Sequence, residues 1–287
     1  MSAAAPPVSI VTGASSGIGR SSALLLARRG HRVFATVRTA DAEDSLREAA
    51  SGLPVDVLRL DLLDEASVAR LIPTVRDRAG RIDVLVNNAG YALLGAVEDL
   101  PVDALRRQFE VNVFGAMALA RAALPLMRSQ RSGRIVNVSS LAGRVSVPLM
   151  GAYCASKFAL EAFTDALRIE ARPFGVRAIV VEPGPVVTRF PRTAVDASRE
   201  VLNSPSVFRQ AYASYLEDFE TPGGATAERV ARVILRAVEA RRPRARYRVR
   251  WRETLLAGVL QVIPRGAMDW PMTRVMGLSV SADDGTR

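Results

Sequence analysis

The sequence predicts a single α/β domain with a Rossmann-type, doubly wound, mostly parallel sheet covered by helices on both faces. Three observations predict it. Short β-branched runs alternate with amphipathic helical patterns along most of the chain, and strands that alternate with helices pair in parallel through right-handed crossovers. The first such run passes through a glycine-rich turn, Thr12 to Gly19, directly into a helical pattern. Several later runs end in Asn, Asp, Gly or Pro, which suit loops at the ends of strands. With 287 residues and 49% hydrophobic content the chain can bury a full core, and no repeat or linker divides it.

Val8 to Thr12 is the first strand, preceded by a disordered N-terminus over residues 1–7. In the turn that follows, Gly13, Gly17 and Gly19 flank Ser15, Ser16 and Ile18 before a helical pattern with Ala23, Leu24, Leu26 and Ala27. Glycines allow a tight turn and let a phosphate approach the backbone, while the helix N-terminus offers unpaired N–H groups. The spacing is not G-x-G-x-x-G, and Gly/Ser loops also make ordinary turns. His31 to Val37 is the second strand, followed by Arg38 with no acid before Asp41. In dinucleotide folds an acid near this position takes the ribose hydroxyls and an Arg accommodates a 2′-phosphate, so Arg38 is expected to meet a phosphate. Val55 to Leu60 is the third strand and closes on Asp61 and Leu62; Glu65 to Arg78 is a helix with Val68, Leu71, Ile72 and Val75 on its apolar stripe. The fourth strand, Ile82 to Val86, ends in Asn87, Asn88, Ala89 and Gly90, suited to a tight turn and to close approach of a ligand. A long helix runs from about Val102 to Arg128 and carries Asn112, an amide that needs partners if it is buried.

The next apolar run (Ile135, Val136, Val138) ends in Ser139 and Ser140, and Tyr153 and Lys157 follow. If the chain is helical from about Ala152, these two share one face at i and i+4. A phenol holds its proton to about pH 10, and a fixed cation beside it favours the phenolate. Lys157 is the chain's single lysine among 39 Lys and Arg residues, which marks it for work a guanidinium cannot do. Alone, the same spacing also fits a pair on a helix surface. The helix stops before Pro173, and Val176 to Val181 is a sixth strand leading to Glu182, Pro183 and Gly184. Residues 189–224 break the alternation with five aromatics and several prolines, suggesting a mobile lid over the sheet's C-terminal edge. Its residues either line a substrate pocket or pack the lid onto the sheet. Thr226 to Ala240 is an amphipathic helix. From Arg242 to Arg252, Arg alternates with Pro, Ala, Tyr, Val and Trp, a strand pattern with one basic and one apolar face. A solvated face at a sheet edge is favoured there over an anion-binding patch. Residues 8–250 form the catalytic domain, and 251–287 form a helical extension and frayed tail.

The formal charge of +10 is scattered along helices, so a nucleic-acid partner is not expected. One cysteine, Cys154, and one histidine, His31, leave no zinc cluster and no serine-histidine hydrolase, and His31 is expected in a surface loop. No metal site is expected. No apolar run long enough to span a bilayer and no leader are seen, which predicts a cytoplasmic protein.

Taken in order, TGASSGIG, Asp61, the NNAG at 87–90, Asn112, Ser140, Tyr153-x-x-x-Lys157 and Pro183-Gly184 with Thr188 resemble the short-chain dehydrogenase/reductase family over about Val8 to Arg189. The resemblance implies a catalytic tetrad of Asn112, Ser140, Tyr153 and Lys157. It implies a nicotinamide cofactor held by Gly13, Ser15, Ser16, Gly17, Ile18, Gly19, Arg38, Asp61, Leu62, Asn88, Ala89, Gly90, Tyr153, Lys157, Pro183, Gly184, Val186 and Thr188. It also implies a homodimer or homotetramer. Ser16 stands where some NADP-preferring members carry a basic residue, so preference for NADP(H) over NAD(H) would lean on Arg38. The YRVRW segment and longer C-terminus look most like the branch that includes 17β-hydroxysteroid dehydrogenase type 1 and the retinol dehydrogenases. The implied activity is NADP(H)-dependent interconversion of a carbonyl and a secondary alcohol on a mainly hydrophobic substrate. The alternative is a non-catalytic NADP(H)-binding sensor or scaffold, which has no use for an acid/base pair.

Overall fold

The computed structural model describes residues 5–219 and 223–251 and, beyond them, positions 255, 258, 259, 262–264, 266–275 and 278. Seven parallel strands form one sheet in the order β3-β2-β1-β4-β5-β6-β9. They are β1 (Val8–Val11), β2 (Arg32–Val37), β3 (Val55–Arg59), β4 (Val84–Asn87), β5 (Gly133–Val138), β6 (Val176–Glu182) and β9 (Arg246–Arg248), while β7 (Val186–Val187) and β8 (Ala225–Thr226) pair separately. The order reverses between β1 and β4, the place where open α/β sheets leave a crevice beyond the strands' C-terminal ends.

Both faces of the sheet are covered because its central strands are apolar on both sides, as buried parallel strands are. On one face α1 (Gly17–Arg28) and α10 (Ala227–Glu239) pack Leu26, Val230 and Ile234 against Val11, Val86 and Ile179. On the other, α3 (Glu65–Ala79), α5 (Gly115–Ser129) and α6 (Gly151–Ala171) bury Ile72, Leu119, Met127 and Leu167 against Ile10, Leu85 and Ile135. Each fully buried Leu or Ile contributes about 1.5–3 kcal/mol. α2 (Ala40–Ala49) begins at a Thr39 cap whose hydroxyl accepts from Ala42 N.

The helix expected from Val102 to Arg128 runs over Val102–Ser129, with α4 (Val102–Phe109) and α5 joined through a π-turn at Glu110–Phe114, a distortion that concentrates at functional sites. The whole run Val102–Ser129 is, by length and composition, apolar enough to cross a membrane. That apolarity is the signature of a core helix, since Leu119, Ala120, Ala123 and Met127 pack into the sheet. His31 is not a surface residue. It is buried at the N-terminal edge of the sheet with Nδ1 2.7 Å from Ser9 Oγ, and burial depresses its pKa.

The alternating Arg segment contributes only the three-residue edge strand β9; Arg242 and Arg244 are exposed as expected, but the arginines of β9 turn inward. Arg246 and Arg248 reach the buried carboxylates of Glu161 and Glu182, while Val249 packs into the opposite core. Arg252, most of the tail and residues 1–4 lie outside the described residues.

Candidate active site

The crevice is built by three loops whose backbones hold one another. β1 is followed by Thr12, and Gly13 turns with φ 68° into Ala14, Ser15 and Ser16 before α1 starts at Gly17, φ 55°. A Cβ on Gly19 would collide with the Gly13 carbonyl oxygen, and one on Gly13 would lie 2.8 Å from Ala89 Cα. Glycine is therefore required for the helix to start against the turn and for the turn to touch the next loop. Thr12 Oγ1 accepts from Asn88 N at 2.9 Å and Ala89 N at 3.0 Å, and Asn88 Nδ2 donates to Thr12 O at 2.9 Å and Gly13 O at 3.2 Å. The sequence reading missed this role of Thr12; its signal was a Thr directly preceding the first loop glycine.

The N-terminus of α1 suits an anion. Ser16 is extended and makes no side-chain cap bond, and no acid stands in the first turn, so the N–H groups of Gly17, Ile18 and Gly19 and the positive end of the helix face the crevice without a competing carboxylate. Thr188 closes the opposite side, its Cγ2 3.2 Å from where a Cβ on Gly17 would stand. The strand ahead of it is steered by Leu141 N donating to Pro183 O at 2.9 Å and by Val186 pairing with Ala225. Gly184 lies between them. Arg38 is exposed just beyond β2, and Asp61 stands just beyond the neighbouring β3 with Oδ1 accepting from Leu63 N. Leu62 packs against Gly115, where a Cβ would come within 3.0 Å of it. These residues form a cradle whose shape and polarity fit a dinucleotide.

Beyond the cradle, four side chains converge. Asn112, 1% exposed in the π-turn, donates from Nδ2 to Tyr91 O (2.9 Å) and Ser156 Oγ (3.0 Å) and accepts at Oδ1 from Tyr91 N (3.0 Å). This satisfies the buried amide and ties the helix to the Asn88–Gly90 loop. A Cβ on Gly90 would stand 2.9 Å from Asn112 Oδ1 and 3.7 Å from Lys157 Nζ, so a glycine keeps open the space beside both. Ser140, extended after β5, accepts from Ala142 N at 3.1 Å and stands near enough to the Tyr153 hydroxyl to favour its ionised form. Tyr153 and Lys157 lie one turn apart on α6, both buried, with Lys157 Nζ 5.8 Å from the Tyr153 ring centre and 2.9 Å from Val138 O, to which it donates.

Burial dominates the protonation of this pair. It pushes the Tyr153 phenol up to about 12 despite Ser140, and pushes the Lys157 ammonium down to about 8 despite Glu161. Near neutrality the pair is a phenol beside an ammonium, a proton donor next to a cation. The expected lowering of the Tyr153 pKa by Lys157 is not what this protein conformation gives, because desolvation outweighs it.

Within residues 189–219 three helices lie over Tyr153: α7 (Phe190–Ala197), α8 (Arg199–Asn203) and α9 (Arg209–Phe219). The Phe190 ring lies 5.6 Å from the Tyr153 ring, and Val195, Leu202, Tyr215, Leu216 and Phe219 join Leu94, Met150 and Cys154 around it. Polar anchors fix the segment, among them Ser206 Oγ donating to Asp99 Oδ2 at 2.6 Å. Buried Ser198 Oγ accepts from Leu94 N at 2.7 Å, and Tyr212 OH donates to Asp99 while accepting from Ala96 N. Below it Leu149 holds φ 63°, a left-handed conformation that a bulky residue rarely adopts, with its carbonyl accepting from Gly95 N at 2.8 Å.

Comparison with known proteins agrees with this geometry. The family model described as short chain dehydrogenase matches residues 7–198. Bovine retinol dehydrogenase 8 is 35% identical over 276 residues, covering 92% of this chain and 88% of the relative. Human 17-beta-hydroxysteroid dehydrogenase type 1 is 37% identical over 253 residues, covering 84% and 76%. A short-chain dehydrogenase from Streptomyces avermitilis superposes with a TM-score of 0.79 at 32% identity, over 96% of this chain and 98% of that one. A Burkholderia phymatum relative in complex with NAD (TM-score 0.77, 28% identity, 88% and 92% coverage) and a metagenomic one in complex with NADP (0.68, 28%, 85% and 96%) share the fold. With its fold, its glycine cradle and these relatives in agreement, the chain belongs to the short-chain dehydrogenase family of nicotinamide-dependent oxidoreductases.

Proposed function

We propose that this protein is an NADP(H)-dependent oxidoreductase that interconverts a carbonyl and a secondary alcohol on a bulky, mainly hydrophobic substrate. The observation that carries the reading is the buried Tyr153 phenol, set beside Ser140 and one helical turn from the buried ammonium of Lys157. The nicotinamide, when bound, supplies or accepts the hydride. The chain's own residues handle the proton and the charge: Tyr153 donates its proton to the substrate oxygen, Ser140 hydrogen-bonds that oxygen, and Lys157 stabilises the phenolate left behind. Lys157 also has donors to spare for the cofactor ribose, since Val138 O takes only one of three. Asn112 anchors water beside Lys157 in the space kept by Gly90.

Arg38 selects the phosphorylated cofactor. It stands exposed at the end of β2 with no ion pair among the described residues, where a guanidinium can take a 2′-phosphate bidentately. The substrate lies between Tyr153 and the helices α7–α9, whose facing side chains are apolar. A homo-oligomer is supported by the exposed apolar residues Val102, Phe114, Phe158, Phe163 and Ile169 on the α4 to α6 surfaces.

The test is NADPH oxidation by the pure protein across a homologous ketone series. Catalytic efficiency should climb with apolar size, each buried CH₂ contributing up to about 0.8 kcal/mol. No turnover with any ketone or aldehyde would leave a cofactor-binding scaffold in its place, and preference for short or charged carbonyls would overturn the substrate class.

A further inference from the structure

Behind Lys157 lies a buried charge cluster that the proposed reaction does not use. One turn beyond Lys157 on α6 is Glu161, 5% exposed. Its Oε2 lies 3.1 Å from Arg246 Nε, which is also 3.3 Å from Oε1 of the fully buried Glu182; Arg246 Nη2 reaches Asp165 at 2.5 Å. Arg248 Nε holds Glu182 Oε2 at 2.6 Å, and Arg144 Nη1 lies 3.6 Å from Oε1. From the other side, a Cβ on Gly143 would come within 2.7 Å of Ser139 Oγ, 3.1 Å of Glu161 Cγ and 3.2 Å of Lys157 O. Gly143 therefore lets the turn after β5 press against α6 where Lys157 and Glu161 share a face. Arg246 fixes the carboxylate from the sheet edge, and Gly143 gives the turn its close approach.

The charges facing Lys157 can be read element by element. Its own helix offers Tyr153, Glu161 and Asp165; β5 offers only the Val138 carbonyl, and the π-turn the neutral Asn112. β6 contributes Glu182, β9 Arg246 and Arg248, and the 141–144 turn Arg144. Arg168, on the same helix, also pairs with Asp165, so four arginines meet Glu161, Glu182 and Asp165, and Lys157 is a further cation beside them. A buried amine gives up its proton unless an anion stands near, and Glu161 is the carboxylate one turn away on its face.

We propose that Glu161 is a positioning residue for Lys157: its carboxylate, clamped by Arg246, keeps the buried amine charged and directed at the Val138 carbonyl. The inference rests on the proposed function only in supposing that Lys157 serves the reaction. Burial lowers the Lys157 pKa to about 8 and Glu161 works against that fall; the Glu161 carboxyl is itself raised by burial and by Glu182 and pulled down by Arg246.

The chain's single lysine makes the test direct. Protein grown on lysine labelled with ¹³C at Cε gives one side-chain signal, whose shift titrates with the Lys157 amine. The native protein should titrate near pH 8, and Glu161→Gln should titrate lower by at least about one pH unit, the scale on which a nearby opposite charge moves a pKa. Glu161→Asp keeps the charge one methylene further away and should fall between them; if the Gln variant does not fold, the Asp variant carries the test. An unchanged titration in whichever variant folds overturns the proposal. The pH dependence of ketone reduction separates the two readings, because the falling limb at high pH should move with the titration. A limb that stays in place while the titration moves overturns the role given to Lys157 in the reaction and leaves its pairing with Glu161 standing.

Discussion

Tyr153 is a phenol that burial makes a weaker acid and Lys157 an amine that burial makes a weaker base, and the pair explains the direction in which each reaction half should respond to pH. Reduction needs the phenol protonated, which it is up to about pH 12, and the ammonium charged, which it is below about pH 8. The reduction rate should therefore be flat at lower pH and fall as pH rises through about 8. Alcohol oxidation needs the phenolate beside the charged ammonium, so it should climb with pH towards about 8 and level off above it as Lys157 loses its proton; stopped-flow rates at saturating cofactor check both signs. Replacing the donor, Tyr153→Phe, should lower kcat by at least about 10²- to 10⁴-fold with NADPH binding intact, the usual contribution of general acid catalysis. At Arg38, charge-assisted hydrogen bonds of about 1.5–3 kcal/mol predict that Arg38→Ala weakens NADPH by roughly ten- to a hundredfold and leaves NADH nearly unchanged. Fluorescence titration with both cofactors reads this, and an equal loss for both would show that Arg38 does not meet the 2′-phosphate.

Between β1 and α1 the glycine turn shows why composition at an element boundary is stricter than inside either element. A methyl on Gly19 meets a backbone oxygen and not a side chain that can swing away, so Gly19→Ala should cost about 1–3 kcal/mol of stability, the usual range for overpacking, and should weaken both cofactors by displacing α1. Thermal unfolding with and without NADPH measures the two effects. The α7–α9 cover makes the opposite point. Its attachment depends on a few polar contacts far apart in sequence, Tyr212 to Asp99 and Ser198 to Leu94 among them. Tyr212→Phe leaves Asp99 without one donor and Ala96 N without its acceptor, a loss of about 1–3 kcal/mol in a buried setting. Proteolysis near residues 199–219 should speed up and KM for a large ketone rise, while NADPH affinity holds, because the cradle is built from other loops.

Across the whole molecule, the crevice lies where the strand order reverses between β1 and β4, so cofactor affinity and global stability are linked through the β1–α1 turn and the β4 loop it grips. A ligand that binds only the folded state adds about 2.7 kcal/mol at a hundred times its Kd. NADPH should therefore raise Tm more than NADH at equal concentration, and Arg38→Ala should remove that difference without changing the Tm of the free protein.

The sequence by itself determined what depends on order along the chain. Alternating strand and helix periods gave a parallel sheet, glycines at a strand end gave the tight turn into α1, and a Tyr and the sole Lys at i and i+4 on one helix gave the buried pair on α6. Tertiary structure decided whatever depends on burial and on partners distant in sequence. The π-turn that carries Asn112 forms where that amide meets the Tyr91 backbone. His31 is buried because the start of β2 lies beside Ser9. The alternating arginines of the edge strand are drawn inward because Glu161 and Glu182, from a helix and a neighbouring strand, need cations once water is gone. The protonation of Tyr153 and Lys157 belongs to this second class: helical spacing brings the two groups together, but the dry interior built by α7–α9 and the sheet sets their pKa values, because desolvation is a property of the packed fold and not of any segment.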